Sequence, residues 1–330
     1  MDGLLVVDKP GGPTSHDVVA RVRRATGERR IGHTGTLDPG ASGVLPLVFG
    51  RATRLARFLS ANDKSYDASI RLGVATDTYD GQGVPFDPPY AGPLPSADQI
   101  EQAIDAFRGT FLQQPPQYSA KKIGGKRSYR LARRRARASI PRWAPLEPLE
   151  PLEPLEPLEP LEPLEPLMPT PVNVTAHAID IVGLHGDTII LRVECSAGFY
   201  IRSLAHDLGE RLGVGAHLSA LRRTRSGDLT LADAVSLDTL ERQPEMATRS
   251  LVPVARMLAT LPAVVLTTEG VRWAQQGREL EKGVAYLFEG GALERVRDPF
   301  LRLLDPAGDL IGIAEPSSLP GLLHPSVILG

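Results

Sequence analysis

Residues 145–168 of this 330-residue chain can form neither a helix nor the interior of a sheet, because they read PLE seven times and close on PLM. A proline at every third position removes backbone donors and fixes φ throughout. Three residues per turn is the period of polyproline II, which would set Pro, Leu and Glu in separate stripes along a rod of about 70 Å. The rest of the chain must fold around this segment, so a solvated insertion in a surface loop is expected. Its glutamates follow a strongly basic stretch and could fold back on it. The tract also hides a charge imbalance. The chain has 37 basic and 39 acidic residues, but seven of the acids belong to the tract, and the remainder carries a net +5. A mildly basic body with an acidic appendage leaves room for a polyanionic partner.

With 42% apolar and 23% charged residues, the chain can bury a sizeable core and is not globally disordered. No apolar run reaches the length of a membrane span. The N-terminal MDGLLVVDKPGG places Asp2 before a short apolar stretch, which is not a secretory leader, so a cytoplasmic location is expected. The single cysteine, Cys195, builds no disulfide framework, and the seven histidines show no metal-ligand spacing, so no metal is expected.

Hydrophobic periodicity predicts an α+β chain. Leu4–Val7, Val44–Phe49 and Tyr66–Val74 read as strands. Ser15 is the expected cap of a helix over 17–25 stopped by Gly27, and residues 51–61 read as a second helix. Ser96 and Gln99 form a capping box for a helix through Phe107, closed by Gly109. After the proline tract, 174–182 and 188–194 read as a hairpin, and 199–211 as a helix ended by Gly213. From about Leu251 short strands and tight turns dominate, with a hairpin of 301–304 and 310–314. A small β-rich domain is expected over 252–330.

Chemistry is concentrated in a few places. Ile31–Leu45, IGHTGTLDPGASGVL, has four glycines, one acid and few bulky side chains, so its backbone can approach a ligand closely. Asp38 precedes Pro39, which biases it to an extended conformation. The plain alternative is an Asx-turn in which Asp38 bonds only local N–H groups. Lys9–Ser15, KPGGPTS, is another rigid loop at a strand end, without P-loop spacing. Lys64-Ser65-Tyr66 and Tyr200-Ile201-Arg202 pair an aromatic ring with a cation, which suits stacking a flat base and holding a carboxylate. Residues 118–142 hold ten basic residues and no acid, with Tyr118 and Tyr129 interleaved. Such a one-sign cluster fits a nucleic-acid backbone, as does Arg222-Arg223-Thr224-Arg225.

Taken in order, KPGGPTS, GHTGTLDPGASGVL, KSYDA, QQPPQYSAKK and GFYIRSLAHDLG resemble the TruB family of bacterial tRNA pseudouridine synthases, over most of residues 3–240. The end of the chain resembles the PUA domain that often follows. The proline tract and the arginine-rich stretch before it depart from the family pattern. The resemblance implies a pseudouridine synthase fold, a mixed and mainly antiparallel sheet flanked by helices, over 1–250, and a PUA-like RNA-binding domain over 252–330. It implies an isomerase acting on uridine-55 in the T-arm loop of tRNA, without a cofactor, a metal or an obligatory protein partner. Asp38 then matches the catalytic aspartate and Arg202 its salt-bridging arginine. Tyr66 matches the residue stacked on the target base, Tyr200 and Leu221 line its pocket, and His33 helps hold the RNA loop open. Lys121, Lys122, Lys126, Arg127, Arg222 and Arg223 are expected to grip phosphates, and the PUA-like domain to touch the acceptor end. Three other readings stand beside it: an RNA chaperone that refolds tRNA without catalysis, a guide-RNA-dependent synthase subunit, and a glycosidase. The last needs a second carboxylate across the scissile bond, with Asp67 or Asp77 as candidates.

Overall fold

A computed structural model describes residues 1–117, 122–123, 126–127, 169–287, 299–319 and 321–330, with the backbone alone at 122–123, 126–127 and 287. The proline tract, Tyr118, Lys121 and most of the basic stretch lie outside the described residues. Lys122–Ile123 and Lys126–Arg127 pair as short antiparallel strands. No helix among the described residues is long and apolar enough to cross a membrane.

The architecture is α+β, with a mixed, mainly antiparallel sheet and flanking helices. The chain divides into two compact units. The first holds Met1–Asp67, Val193–Ala197 and Ala220–Gly330, and the second Ala68–Arg192 and Gly198–Ser219. The strands Lys64–Leu72, Thr188–Cys195 and Ala216–Ser226 each contribute residues to both.

In the first unit, strand Gly3–Lys9 pairs antiparallel along its whole length with Ser42–Phe49. Leu4, Leu5, Val6 and Val7 are all buried, as a continuous apolar run predicts for a strand covered on both faces. The other edge of Ser42–Phe49 is shared. Ile31–His33 pairs with residues 47–49, and Arg222 and Arg223 pair in parallel with Ser42 and Gly43. The glycine-rich loop 34–41 leaves the sheet between these two partners. Helix Ser15–Thr26 ends at Gly27, whose φ of 71° is left-handed as expected for a C-cap. Its N-cap is Thr14 rather than Ser15. Thr14 and Asp17 bond each other's backbone N–H in a reciprocal box, which frees Ser15 to face inward. Residues 51–61 form a 3₁₀ turn, Gly50–Leu55, followed by the short helix Ala56–Ser60, rather than one regular helix.

The same unit contains the C-terminal sheet, in the order Leu280–Glu281, Leu322–Ile328, Leu310–Pro316, Leu301–Leu304, Ala263–Leu266, Tyr286–Leu287, with helix Thr268–Gln275. One of its faces packs on that helix around Val264, Leu301 and Tyr286. Leu310, Ile313 and Leu329 instead join Leu4, Val6, Val48 and Phe58 in one core, where Phe58 meets Phe300 edge-on at 4.9 Å.

In the second unit the strand order is Lys64–Leu72, Thr188–Cys195, Val172–His185, Gly109–Gln113. The expected hairpin around Gly186 is present with longer arms. Helix Ala97–Asp105 carries the predicted Ser96/Gln99 box. Helix Ile201–Leu212 buries Leu204 and Leu208 and stops at Gly213, φ 70°.

Candidate active site

Asp38 opens a tight turn in the loop 34–41, its carbonyl accepting from the Ala41 N–H at 3.1 Å with Pro39 in between. Pro39 presets φ for the turn and cannot itself donate. Two buried side chains fix the residues on either side of Asp38. The Ser15 hydroxyl donates to the Leu37 carbonyl and accepts from the Leu37 N–H, at 3.0 and 2.8 Å. Lys9, fully buried at the end of its strand, extends its ammonium to the carbonyls of Pro10, Pro39 and Ala41, at 2.9, 3.1 and 2.5 Å. Gly12 N–H adds a bond to the Pro39 carbonyl. Three acceptors satisfy all three ammonium donors. Burial still pulls the Lys9 ammonium down to about 8, while the negative charge of Asp38 opposes the shift. The two glycine-proline loops therefore face each other through one cation. His33, where the loop begins, packs its ring edge-on against His16 at 5.2 Å.

Tyr66 and Arg223 lie close to this loop. Arg223 is 1% exposed, so it cannot meet a phosphate at the surface, and the expectation that it grips the RNA backbone is corrected. Its guanidinium donates to the Val44 carbonyl at 2.6 Å and the Gly35 carbonyl at 3.2 Å. Burial raises the Tyr66 phenol, and the Arg223 charge offsets part of that rise. Gly43 makes the arrangement possible. Its φ is 101°, and a Cβ there would fall 2.1 Å from the Arg223 carbonyl oxygen. Arg222, next along the strand and partly exposed, pairs with Asp8 at 2.8 Å. Leu221 is half-buried, and its carbonyl lies 3.5 Å from the Ser42 hydroxyl.

In the second unit, Arg202 is buried in the first turn of helix Ile201–Leu212. It donates to the Thr78 carbonyl at 3.1 Å and faces the Asp80 carboxylate at 3.8 Å. Between Thr78 and Asp80, Tyr79 adopts φ 63°, rare for a side-chain-bearing residue, and stacks flat on His206 at 3.9 Å. His206 lies one turn beyond Arg202 on the same helix face. Tyr200 caps that helix without using its side chain. Its backbone is bracketed by Gln113, which is 1% exposed: the amide nitrogen donates to the Tyr200 carbonyl, and the amide oxygen accepts the Tyr200 N–H. Asp77, weighed as a second carboxylate, accepts the Val84 N–H within its own loop.

Each unit thus gathers part of the expected set. Asp38, Tyr66 and Leu221 are carried by the first, with His33 and Arg222. Tyr200 and Arg202 are carried by the second. Lys121 lies outside the described residues, as do the side chains of Lys122, Lys126 and Arg127. Sequence reasoning missed Ser15, Gln113 and Asp80 and did not place Lys9 in the site. A lysine ending the strand that carries the apolar run Leu4–Val7 was the one legible signal.

Comparison with known proteins identifies the family. Residues 23–144 match the model of the TruB family pseudouridylate synthase N-terminal domain, and 202–263 that of the tRNA pseudouridylate synthase B C-terminal domain. The tRNA pseudouridine synthase B of Solibacter usitatus (strain Ellin6076) is 38% identical, over 100% of both chains. That of Symbiobacterium thermophilum is 44% identical over 81% of this chain and 79% of its own, and that of Corynebacterium diphtheriae 36% over 96% and 97%. A solved Cbf5-Nop10-Gar1 complex contains a chain of similar fold, with TM-score 0.67 and 25% identity over 99% of this chain and 85% of the other. On these matches the chain belongs to the TruB family of pseudouridylate synthases and is an isomerase.

Proposed function

We propose that the chain converts uridine-55 in the T-arm loop of tRNA to pseudouridine, with Asp38 as the catalytic carboxylate. The N-glycosidic bond breaks, the uracil turns, and C5 bonds to C1′ of the ribose. The C5 hydrogen leaves as a proton and N1 gains one, so atoms and electrons balance without a cofactor. Asp38 either attacks the ribose or stabilises a glycal-like intermediate. Either role requires an ionised carboxylate, and Arg202 is assigned to keep it so. Tyr66 stacks on the target base, Tyr200 and Leu221 line its pocket, and His33 holds the RNA loop open. Extruding the uracil costs a few kcal/mol, offset by stacking and backbone contacts. Lys121, Lys122, Lys126, Arg127 and Arg222 supply phosphate contacts. Residues 1–250 act as the catalytic domain, and 252–330 as a PUA-like domain on the acceptor end, in the cytoplasm and without an obligatory protein partner.

The observation that supports this best is the treatment of Asp38: a lone acid in a turn whose flanking residues are clamped by two buried side chains, in a chain of established family. Purified protein and a naked tRNA transcript test it, with pseudouridine mapped by mass spectrometry. Product is expected at position 55, and Asp38→Asn is expected to lower turnover by about a thousandfold or more while RNA still binds. Full turnover by that variant overturns the assignment. Activity only with a guide RNA or an added protein overturns the stand-alone reading.

A further inference from the structure

Tyr79 carries a side chain on a left-handed backbone, and it stands between the two groups that meet Arg202. Its loop is bonded to the strand Ala216–Ser226: the Tyr79 carbonyl accepts from the Leu218 N–H, and the Gly81 N–H donates to the Leu218 carbonyl, each at 3.0 Å. Its φ of 63° is the torsion that turns the Thr78 carbonyl relative to the chain leading to Asp80. At that value the Thr78 carbonyl accepts from Arg202 at 3.1 Å, and the Asp80 carboxylate faces the same guanidinium at 3.8 Å. Asp80 Oδ1 accepts from the Thr78 hydroxyl at 2.7 Å and the Gln82 N–H at 3.0 Å, and Oδ2 is the oxygen turned to Arg202. A left-handed tyrosine is costly and persists only where its surroundings hold it. The Tyr79 ring lies flat on His206, with centroids 3.9 Å apart and planes 7° apart. His206 belongs to the helix that carries Arg202, one turn further on. Its buried Nδ1 meets no hydrogen-bond partner among the described residues, so the imidazole is kept by its face and not by that nitrogen. Burial lowers the His206 imidazole and raises the Tyr79 phenol, which makes this a stack of neutral rings.

We propose that Tyr79 and His206 are positioning residues for Arg202: their stack pins the left-handed turn at 79 and so keeps the Thr78 carbonyl and the Asp80 carboxylate on the guanidinium. Arg202 and His206, four residues apart on one helix face, then grip the same short loop at three points. The guanidinium is thereby set before RNA arrives, instead of searching for its place afterwards. Neither ring is given a chemical step of its own. This rests on the assignment of Arg202 to the Asp38 carboxylate.

Single-turnover rates on a T-arm stem-loop test this in the parent, Tyr79→Phe, Tyr79→Asn, His206→Leu and the Tyr79→Asn/His206→Leu double variant, with stem-loop affinity measured alongside. Asparagine tolerates a left-handed backbone but cannot stack, so it removes the ring without opposing the turn. Tyr79→Asn and His206→Leu are each expected to slow the parent about tenfold and to change affinity by less than about twofold. The double variant should be slower than the slower single by less than about twofold, because both remove one contact. Tyr79→Phe keeps the ring and should stay within about twofold of the parent. Multiplied slowing in the double variant, unslowed single variants, or a Tyr79→Phe as slow as Tyr79→Asn overturns the proposal. A second measurement needs neither RNA nor turnover. In protein labelled with nitrogen-15 arginine, the Arg202 Nε–H signal is identified by its loss in Arg202→Lys. It is expected to hold its place in Tyr79→Phe and to move in both Tyr79→Asn and His206→Leu. An unmoved signal in either of the last two overturns the proposal. If Asp38→Asn stays active, the enzymatic assignment fails while the arginine signal still decides whether the stack holds Arg202.

Discussion

The loop that carries Asp38 and the helix start that carries Arg202 are both held by buried side chains bonded to main-chain atoms, but by opposite electrostatic means. Around Asp38 the clamps are cations: Lys9 on Pro39 and Ala41, Arg223 on Gly35 and Val44. Around Arg202 the clamp on Tyr200 is a neutral amide, Gln113, while the guanidinium itself rests on Thr78 and Asp80. In the loop bearing the carboxylate each cation ties a carbonyl, and the charge of Asp38 in turn favours the ammonium of Lys9. A segment that already carries a buried arginine would be destabilised by a second positive charge, and an amide ties both backbone groups without one.

The comparison breaks first at Lys9. Lys9→Met leaves three carbonyls without their cation, and an unfolding free energy lower by about 3 kcal/mol or more is expected by denaturant titration. Little or no loss in Lys9→Gln would mean that charge is irrelevant and that any donor serves. Gly43→Ala comes next, at about 2–4 kcal/mol, because the left-handed backbone and the Arg223 carbonyl both exclude a Cβ. Gln113→Leu is expected to cost about 2 kcal/mol by orphaning the Tyr200 N–H and carbonyl. Its single-turnover rate should fall more than its RNA affinity if Tyr200 is thereby misplaced. The smallest effect tests the second unit for hidden charge. Burial, reinforced by Glu210, pushes the Asp207 carboxyl up to about 6. A raised folded-state value means that the folded protein keeps its proton after the unfolded chain has lost one. Stability from this group therefore declines as pH rises from about 4 to about 6 and then levels. Asp207→Asn should raise Tm relative to the parent above pH 6 and match it near pH 4. A constant difference across that range would put the effect elsewhere.

Much of the fold was legible because its signals are local. The apolar run Leu4–Val7, the Ser96/Gln99 box and the glycine stops at 27 and 213 each act within a few residues. Asp38 stood out for the same reason, being the lone acid in a glycine-rich string. The support of the site was not legible, because it is non-local. Lys9 reaches across about thirty residues, Ser15 across twenty-two, and Gln113 finds Tyr200 eighty-seven residues on. The arginine run 222–225 misled for a subtler reason. Composition registers a cluster of charge, but the groups that each member meets decide which one faces water: the Val44 and Gly35 carbonyls receive Arg223, while Arg222 meets Asp8. The misplaced helix cap is similar: Thr14 and Ser15 are equally good caps by type, and only the inward need of Leu37 separates them.

The core shared by Leu4, Val6 and Val48 with Leu310, Ile313 and Leu329 has a consequence for synthesis. The first strand leaves the ribosome about three hundred residues before the segments that complete its packing layer. At about 5–20 residues per second, that apolar face waits at least ten seconds or so for its cover. Newly made chains should therefore lean on chaperones until residues 310–329 emerge, and chains cut short before them should leave this early-made face sticky.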